Sequence, residues 1–231
     1  MVKDLSVEPA LPNAVRALAL RLGAREEIAP PSVSLTQRGT MRGGPTSRWM
    51  RFRATQMIDV RRPRFEWHAV TGPSGLISVI DAFHDDQPKL EVRLFRRLRI
   101  AGVNGGVAAA KGEIMRYLAE LAWAPDAILH NHMLAWTVGG DCTLRASAGH
   151  GSALGAVEFR LDNDGRIGSV FAPDRPRKEA SGFVEHPWQG RFFDYRQHEG
   201  RWLPFGGEVG WILDGQEFVV WRGELLSWCL P

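Results

Sequence analysis

The sequence predicts a mainly β fold of the α+β class, in which two antiparallel meanders flank one central helix and a short helix precedes them. Three observations carry this. Apolar and polar residues alternate with period two on both sides of residues 107–123; that segment alone joins strong helix formers to helical spacing; and the strand-like runs are separated by short turns rather than by helices.

The first element is a helix over 11–24. Pro12-Asn13 offers an N-cap, Val15, Leu18 and Leu22 recur at helical spacing, and Gly23 supplies the stop. After Pro30-Pro31 the period changes to two: Val33, Leu35, Gln37, Gly39 and Met41 fall on one side, and Ser34, Thr36, Arg38, Thr40 and Arg42 on the other. The same alternation recurs around Met50–Ile58, Phe65–Ala69, Leu76–Phe83 and Leu90–Leu98, so residues 31–100 read as a first meander and a curved sheet. Asn104-Gly105-Gly106 ends it. The central helical segment spans 107–129, its helix running Val107–Trp123 with Ile114, Leu118 and Leu121 on one face and Tyr117 beside them, before Pro125 forces a new start and a short turn. A second meander fills 132–231, with hairpin turns at Asp162–Gly165, His198–Gly200 and Asp214-Gly215. With no linker or repeat between the halves, residues 1–231 read as a single domain.

The chain has 231 residues, 44% apolar and 24% charged, with a net charge of +3. This is globular composition with enough length to bury a sizeable core. No apolar run reaches the ~18 to 20 residues of a spanning helix. The opening Met1-Val-Lys-Asp-Leu5 lacks the apolar core of a secretory leader, so a cytoplasmic location is expected. Two distant cysteines, Cys142 and Cys229, suit buried or free thiols better than a metal pair. Only four of the 29 basic residues are lysine. Guanidinium usage of this kind could suit an anionic or aromatic partner, but GC-rich coding, which produces the same usage, is the favoured account. The basic residues are interspersed with acidic neighbours over many strands, so no nucleic-acid partner is expected.

Several segments together resemble a bacterial family catalogued as DUF 6544, a domain of unknown function: Leu35–Arg42 (LTQRGTMR), the FEWHA around Trp67, Gly112–Leu129 (GEIMRYLAELAWAPDAIL), His186–Arg196 (HPWQGRFFDYR), and GGEVGWILDG with VVWRGEL near the end. The resemblance covers nearly the whole chain. It implies an architecture similar to the half-open β-barrels of periplasmic lipoprotein carriers, a bent antiparallel sheet that wraps helices and encloses an apolar cavity. It implies no activity, and the chain shows neither a lipobox cysteine nor a leader.

Glu113, Arg116 and Glu120 stand at i, i+3 and i+7 on the helix the sheet should surround, with Tyr117 adjacent. Buried there, they form a structural salt bridge or hold a carboxyl of raised pKa fit for general acid or base work. His68 shares a strand face with Glu66, opposite Trp67, as a further acid/base candidate. Nine tryptophans make an aromatic-lined cavity the natural expectation, with Trp67, Trp123, Trp136, Trp211 and Trp221, joined by Arg38 and Gln56, as candidate ligand contacts. His130 and His132 form an H-x-H pair that on a strand would point to one side, but no third ligand is fixed by spacing and no metal site is expected.

No nucleophile elbow, P-loop, dinucleotide fingerprint or H-E-x-x-H is present, so no cofactor is expected. The leading reading is a binder of a small apolar or aromatic molecule between bent sheet and central helix. The alternative is a cofactor-independent lyase or isomerase acting on a hydrophobic aromatic substrate through Glu113, Glu120, Tyr117, Arg116 or His68. An interaction module with an exposed sheet edge is a third reading.

Overall fold

Alternating residues make each strand a two-faced ribbon, and the ribbons pair in an order that forces the sheet to curl. The computed structural model describes residues 10–140 and 142–231; Met1–Leu5, read above for a leader, lies outside the described residues. The first meander comprises β1 (Ser32–Met41), β2 (Met50–Asp59), β3 (Phe65–Thr71), β4 (Ile77–His84), β5 (Gln87–Leu94) and β6 (Leu98–Asn104). The second comprises β7 (Ala135–Val138), β8 (Thr143–Ala148), β9 (Gly155–Leu161), β10 (Ile167–Glu179), β11 (Gly182–His198), β12 (Arg201–Leu213) and β13 (Gln216–Cys229). Among the described residues these form one antiparallel sheet in the order β6-β5-β4-β3-β2-β1-β13-β12-β11-β10-β9-β8-β7. The halves are joined where β1 pairs with β13, in a register that sets Met41 opposite Trp221 and Gly39 opposite Gly223.

This order leaves β6 and β7 as the two edges, yet they are consecutive in the chain. Thirteen strands spaced about 4.8 Å apart would make a flat sheet close to 60 Å wide. The link between its edges contains α2 (Val107–Ala119) and α3 (Pro125–His130), which at ~1.5 Å per residue span about 20 and 9 Å. The sheet therefore bends round the helices into a half-barrel, and α2 touches β4 and β5 on one side and β8 to β11 on the other. Ile114, Met115, Tyr117 and Leu118 fill the concave space with Phe65, Phe83, Val157 and Phe159.

The first helix, α1 (Asn13–Arg21), begins with Pro12 rather than Asn13 at the N-cap, so no side chain caps it. Its end is as expected. Gly23 takes a φ of 89°, and its N–H and that of Ala24 return to Leu20 and Ala19, a Schellman closure. Val15, Leu18 and Ala19 are buried, and α1 packs against α3.

The central helix departs from the expected Val107–Trp123. It stops at Ala119, tightens into a 3-10 turn over Glu120–Ala122 and restarts as α3. Pro125 explains the break: its ring drives Ala124 out of the helical region, to φ −128° and ψ 62°. The H-x-H pair is not on a strand either, because His130 ends α3 and donates to the Arg25 carbonyl at 2.7 Å, and the following strand begins only at Ala135. Cys142 and Cys229 are free and exposed rather than buried. Among the described residues no helix is long and apolar enough to cross a membrane.

Candidate functional site

A cavity of about 440 Å³ lies between the C-terminal half of α2 and the concave face of the sheet. Its walls are aromatic. Trp67 on β3, Trp188 and Phe192 on β11, Trp211 on β12, Trp221 on β13 and Trp123 beyond α2 all line it. The rings hold each other edge to face, with Trp123 5.3 Å from Phe192 and 6.3 Å from Trp221. The Trp123 indole N–H donates to the Pro204 carbonyl at 2.8 Å, which fixes the ring's tilt. The six-membered ring of Trp221 covers Gly223, where a Cβ would stand 2.0 Å from it; a larger residue there would expel the indole. Met41, Arg42, Val220, Trp211 and Trp221 are only partly buried, so the cavity opens at the end of the sheet where the β1–β2 and β12–β13 turns lie.

One side of the cavity is charged. Arg116 on α2 donates to Glu120 Oε1 at 2.9 Å and is ion-paired to Asp81 on β4. Gln56 on β2 donates to the other Glu120 oxygen, and Trp67 donates to Gln37 on β1 at 3.2 Å. From the other half of the sheet Arg175 on β10 reaches the same space, its guanidinium 4.5 Å from the Trp188 ring centre. A register shift between Ala172 and Arg175 turns this residue inward. The Arg175 Nε is buried without a hydrogen-bond partner. Burial pushes the Asp81 and Glu120 carboxyls upward against the pull of Arg116, and lowers Arg175. Burial, reinforced by the charge of Asp81, pushes the Glu113 carboxyl up to about 8. Burial alone would lower Arg116, but Glu120, Asp81 and Glu113 outweigh it and raise it.

The structure brings Arg116, Glu120, Trp67, Trp123, Trp211 and Trp221 together around the cavity, with Gln56 directly behind Glu120. Glu113 is close enough to sense the cluster but does not line the cavity, and its Oε2 is buried without a partner. Tyr117 is turned away. Its hydroxyl donates to the Asp59 carbonyl at 2.9 Å and accepts from Asn131 at 2.8 Å, and burial drives its pKa upward. His68 lies on the convex face, paired with Glu66 and on the opposite side of β3 from Trp67. Arg38 is also convex: it forks onto Glu224 at 2.8 and 3.0 Å in solvent, and its neighbour Gln37 is the inward residue. Trp136 stacks on Phe159, 5.9 Å away, in the β7–β9 region and outside the cavity lining. Of the five acid/base candidates, then, only Arg116 and Glu120 line the cavity, and both are committed to each other.

Asp81, Arg175, Trp188 and Gln37 belong to the site and were not singled out in the sequence. Asp81 carried a signal: it alternates with Ile77, Val79 and Phe83, so it is a carboxylate at an inward position of an apolar strand face. Arg175 carried none, because the register shift reverses the parity on which such a reading depends.

The profile of the family of unknown function DUF6544 matches residues 3–223. No curated protein matches the sequence. Solved structures similar over most of their length include the following three. A LolA superfamily protein from Nitrosomonas europaea is 9% identical, with 94% of this chain and 93% of that one covered at a TM-score of 0.51. A protein domain from Vibrio parahaemolyticus, described as outer membrane lipoprotein-sorting, is 11% identical, with 94% and 93% covered at 0.53. A DUF1329 family protein from Desulfovibrio piger is 11% identical, with 94% and 91% covered at 0.53. At such identities the likeness establishes the half-barrel fold alone.

Proposed function

We propose that this chain, which belongs to the DUF6544 family of unknown function, holds one apolar or aromatic small molecule in the cavity between α2 and the sheet. The observation that carries this reading is an opening of about 440 Å³ walled by five indoles, within the range of about 300–1,000 Å³ usual for small-molecule sites. Similarity of fold to a protein described as lipoprotein-sorting fits an apolar occupant. The apolar body of the ligand rests against Trp123, Trp211 and Trp221, and a single polar or anionic group meets Arg175, whose buried Nε lacks a hydrogen-bond partner. A neutral or singly anionic ligand suits the site, because the Arg116 guanidinium is already shared between Asp81 and Glu120.

Titration with benzyl alcohol, phenylacetate, decanoate and ADP, followed by tryptophan fluorescence, tests it. Saturable quenching by the aromatic or fatty acids, absent with ADP, is expected. Tighter binding of ADP, or no saturable response to any apolar compound, would overturn the reading.

A further inference from the structure

One end of the sheet combines exposed apolar side chains with unpaired arginines. The β5–β6 turn and the start of β6 read Phe95-Arg96-Arg97-Leu98-Arg99-Ile100, and Phe95, Leu98 and Ile100 remain 61%, 62% and 52% exposed. Arg96, Arg97 and Arg99 are exposed, and none forms an ion pair among the described residues. Between Glu91 and Glu113 the sequence contains no acidic residue at all. Phe95 and Arg96 take positive φ values of 52° and 59°, conformations a two-residue turn ordinarily assigns to Asn-Gly. A large aromatic is thus kept at a tip where local energetics favour a small polar residue. The Phe95 N–H donates to the Leu76 carbonyl at 2.7 Å, which ties this turn to the β3–β4 turn and its exposed Leu76.

Antiparallel connectivity puts the β1–β2, β3–β4, β5–β6, β8–β9, β10–β11 and β12–β13 turns on the same rim of the curled sheet. The half-exposed Phe183 and Val184 sit just after the β10–β11 turn, and the cavity opens at this end through Met41 and Trp221.

We propose that this end, led by Phe95, Leu98 and Ile100 among Arg96, Arg97 and Arg99, docks on an anionic phospholipid bilayer. The chemistry matches an interface in which apolar side chains enter the acyl boundary while guanidinium groups meet lipid phosphates. Docking of two copies through this tip is opposed by its own charge, since like-charged arginines would face each other. Nucleic acid is a poorer match, because of the three exposed apolar side chains only Phe95 offers a stacking surface for a base, while Leu98 and Ile100 offer none. The docking stands independently of what fills the cavity, although it would set the cavity mouth toward the lipid.

Co-sedimentation of the full chain with vesicles tests it, comparing phosphatidylcholine alone with phosphatidylcholine containing about one-third phosphatidylglycerol. Binding to the anionic vesicles only, lost at about 0.5 M salt, is expected. The combined Arg96→Gln, Arg97→Gln and Arg99→Gln variant should bind at least about tenfold more weakly. Phe95→Asn, which suits the turn and so keeps the fold, should also bind measurably more weakly. Absence of binding to the anionic vesicles, or wild-type binding by Phe95→Asn, would overturn the proposal. So would size-exclusion chromatography showing that the tip residues instead hold a dimer together.

Discussion

Arg201 on β12 grips Asp126 at the start of α3 with two nitrogens, at 2.9 and 3.2 Å, and the two side chains are 3% and 0% exposed. The pair clamps the restarted helix to the far half of the sheet, and Asp126 also sits in the first turn of α3, where a carboxylate meets the positive end of the helix. Removing one partner strands the other in a medium that cannot solvate it. Asp126→Ala should therefore cost roughly 3–5 kcal/mol in urea unfolding, and Asp126→Leu combined with Arg201→Met should recover most of the loss. Equal stability of Asp126→Ala and wild type would contradict the clamp.

Arg116 presents the same logic inside the cavity. It serves both Asp81 and Glu120, so Arg116→Met removes the ion-pair partner of two buried carboxylates and leaves only the more distant charge of Arg175 against them. A loss of roughly 3–5 kcal/mol is expected at neutral pH. The loss should shrink under mildly acid conditions, as the two carboxyls, already pushed upward by burial, take up protons. A loss that stays constant with pH would show that packing against Phe65 and Trp67, rather than charge, is what Arg116 supplies.

Glu113 sets a pH dependence whose sign follows from burial. Its carboxyl stands at about 8 in the folded protein and near 4.5 when unfolded. Between these values the native state holds a proton that the unfolded chain releases. Its contribution is therefore fully present below about pH 4.5 and is lost as pH rises toward 8. Surface carboxylates such as Glu224, held low by Arg38, act in the opposite direction, but only at more acid pH. The difference in melting temperature between wild type and Glu113→Gln should grow in favour of the variant from pH 5 to pH 8.5. A difference independent of pH would mean that Glu113 titrates normally.

The aromatic wall separates binding from stability. Trp211→Ala and Trp221→Ala should weaken the best ligand of the fluorescence panel about tenfold or more, whereas Trp136→Ala, which removes only the stack on Phe159, should lower the melting temperature and leave Kd nearly unchanged. Gly223→Ala should mimic Trp221→Ala in binding, because its methyl group would occupy the place of the indole. Ligand affinity unaffected by both Trp211→Ala and Trp221→Ala would move the binding site elsewhere.

The alternation around Val33–Met41 and Phe65–Ala69 was legible because a strand with one buried face must write that face into every second residue. The same rule already separated Gln37 from Arg38, and assigning a ligand contact to Arg38 went against it. The pairing of Glu120 with Arg116 was legible too, since four residues on a helix bring side chains together whatever surrounds them. The break at Ala119 was half legible: Pro125 announced a restart, but the tightening of the preceding turn depends on what Leu121 and Trp123 must reach.

By itself, then, the sequence determined the strands, their two faces, the turns and the existence of a central helix, all consequences of interactions within a few residues. Tertiary structure alone decided which strands became neighbours and which charges met. Asp81 on β4, Arg116 on α2 and Arg175 on β10 share a cavity because β1 pairs with β13 and a short helical link draws the sheet's edges together. The register shift before Arg175 and the space above Gly223 complete the site. The physical reason is that periodicity records only whether a residue is buried, whereas the partner it meets there is set by chain closure across nearly a hundred residues.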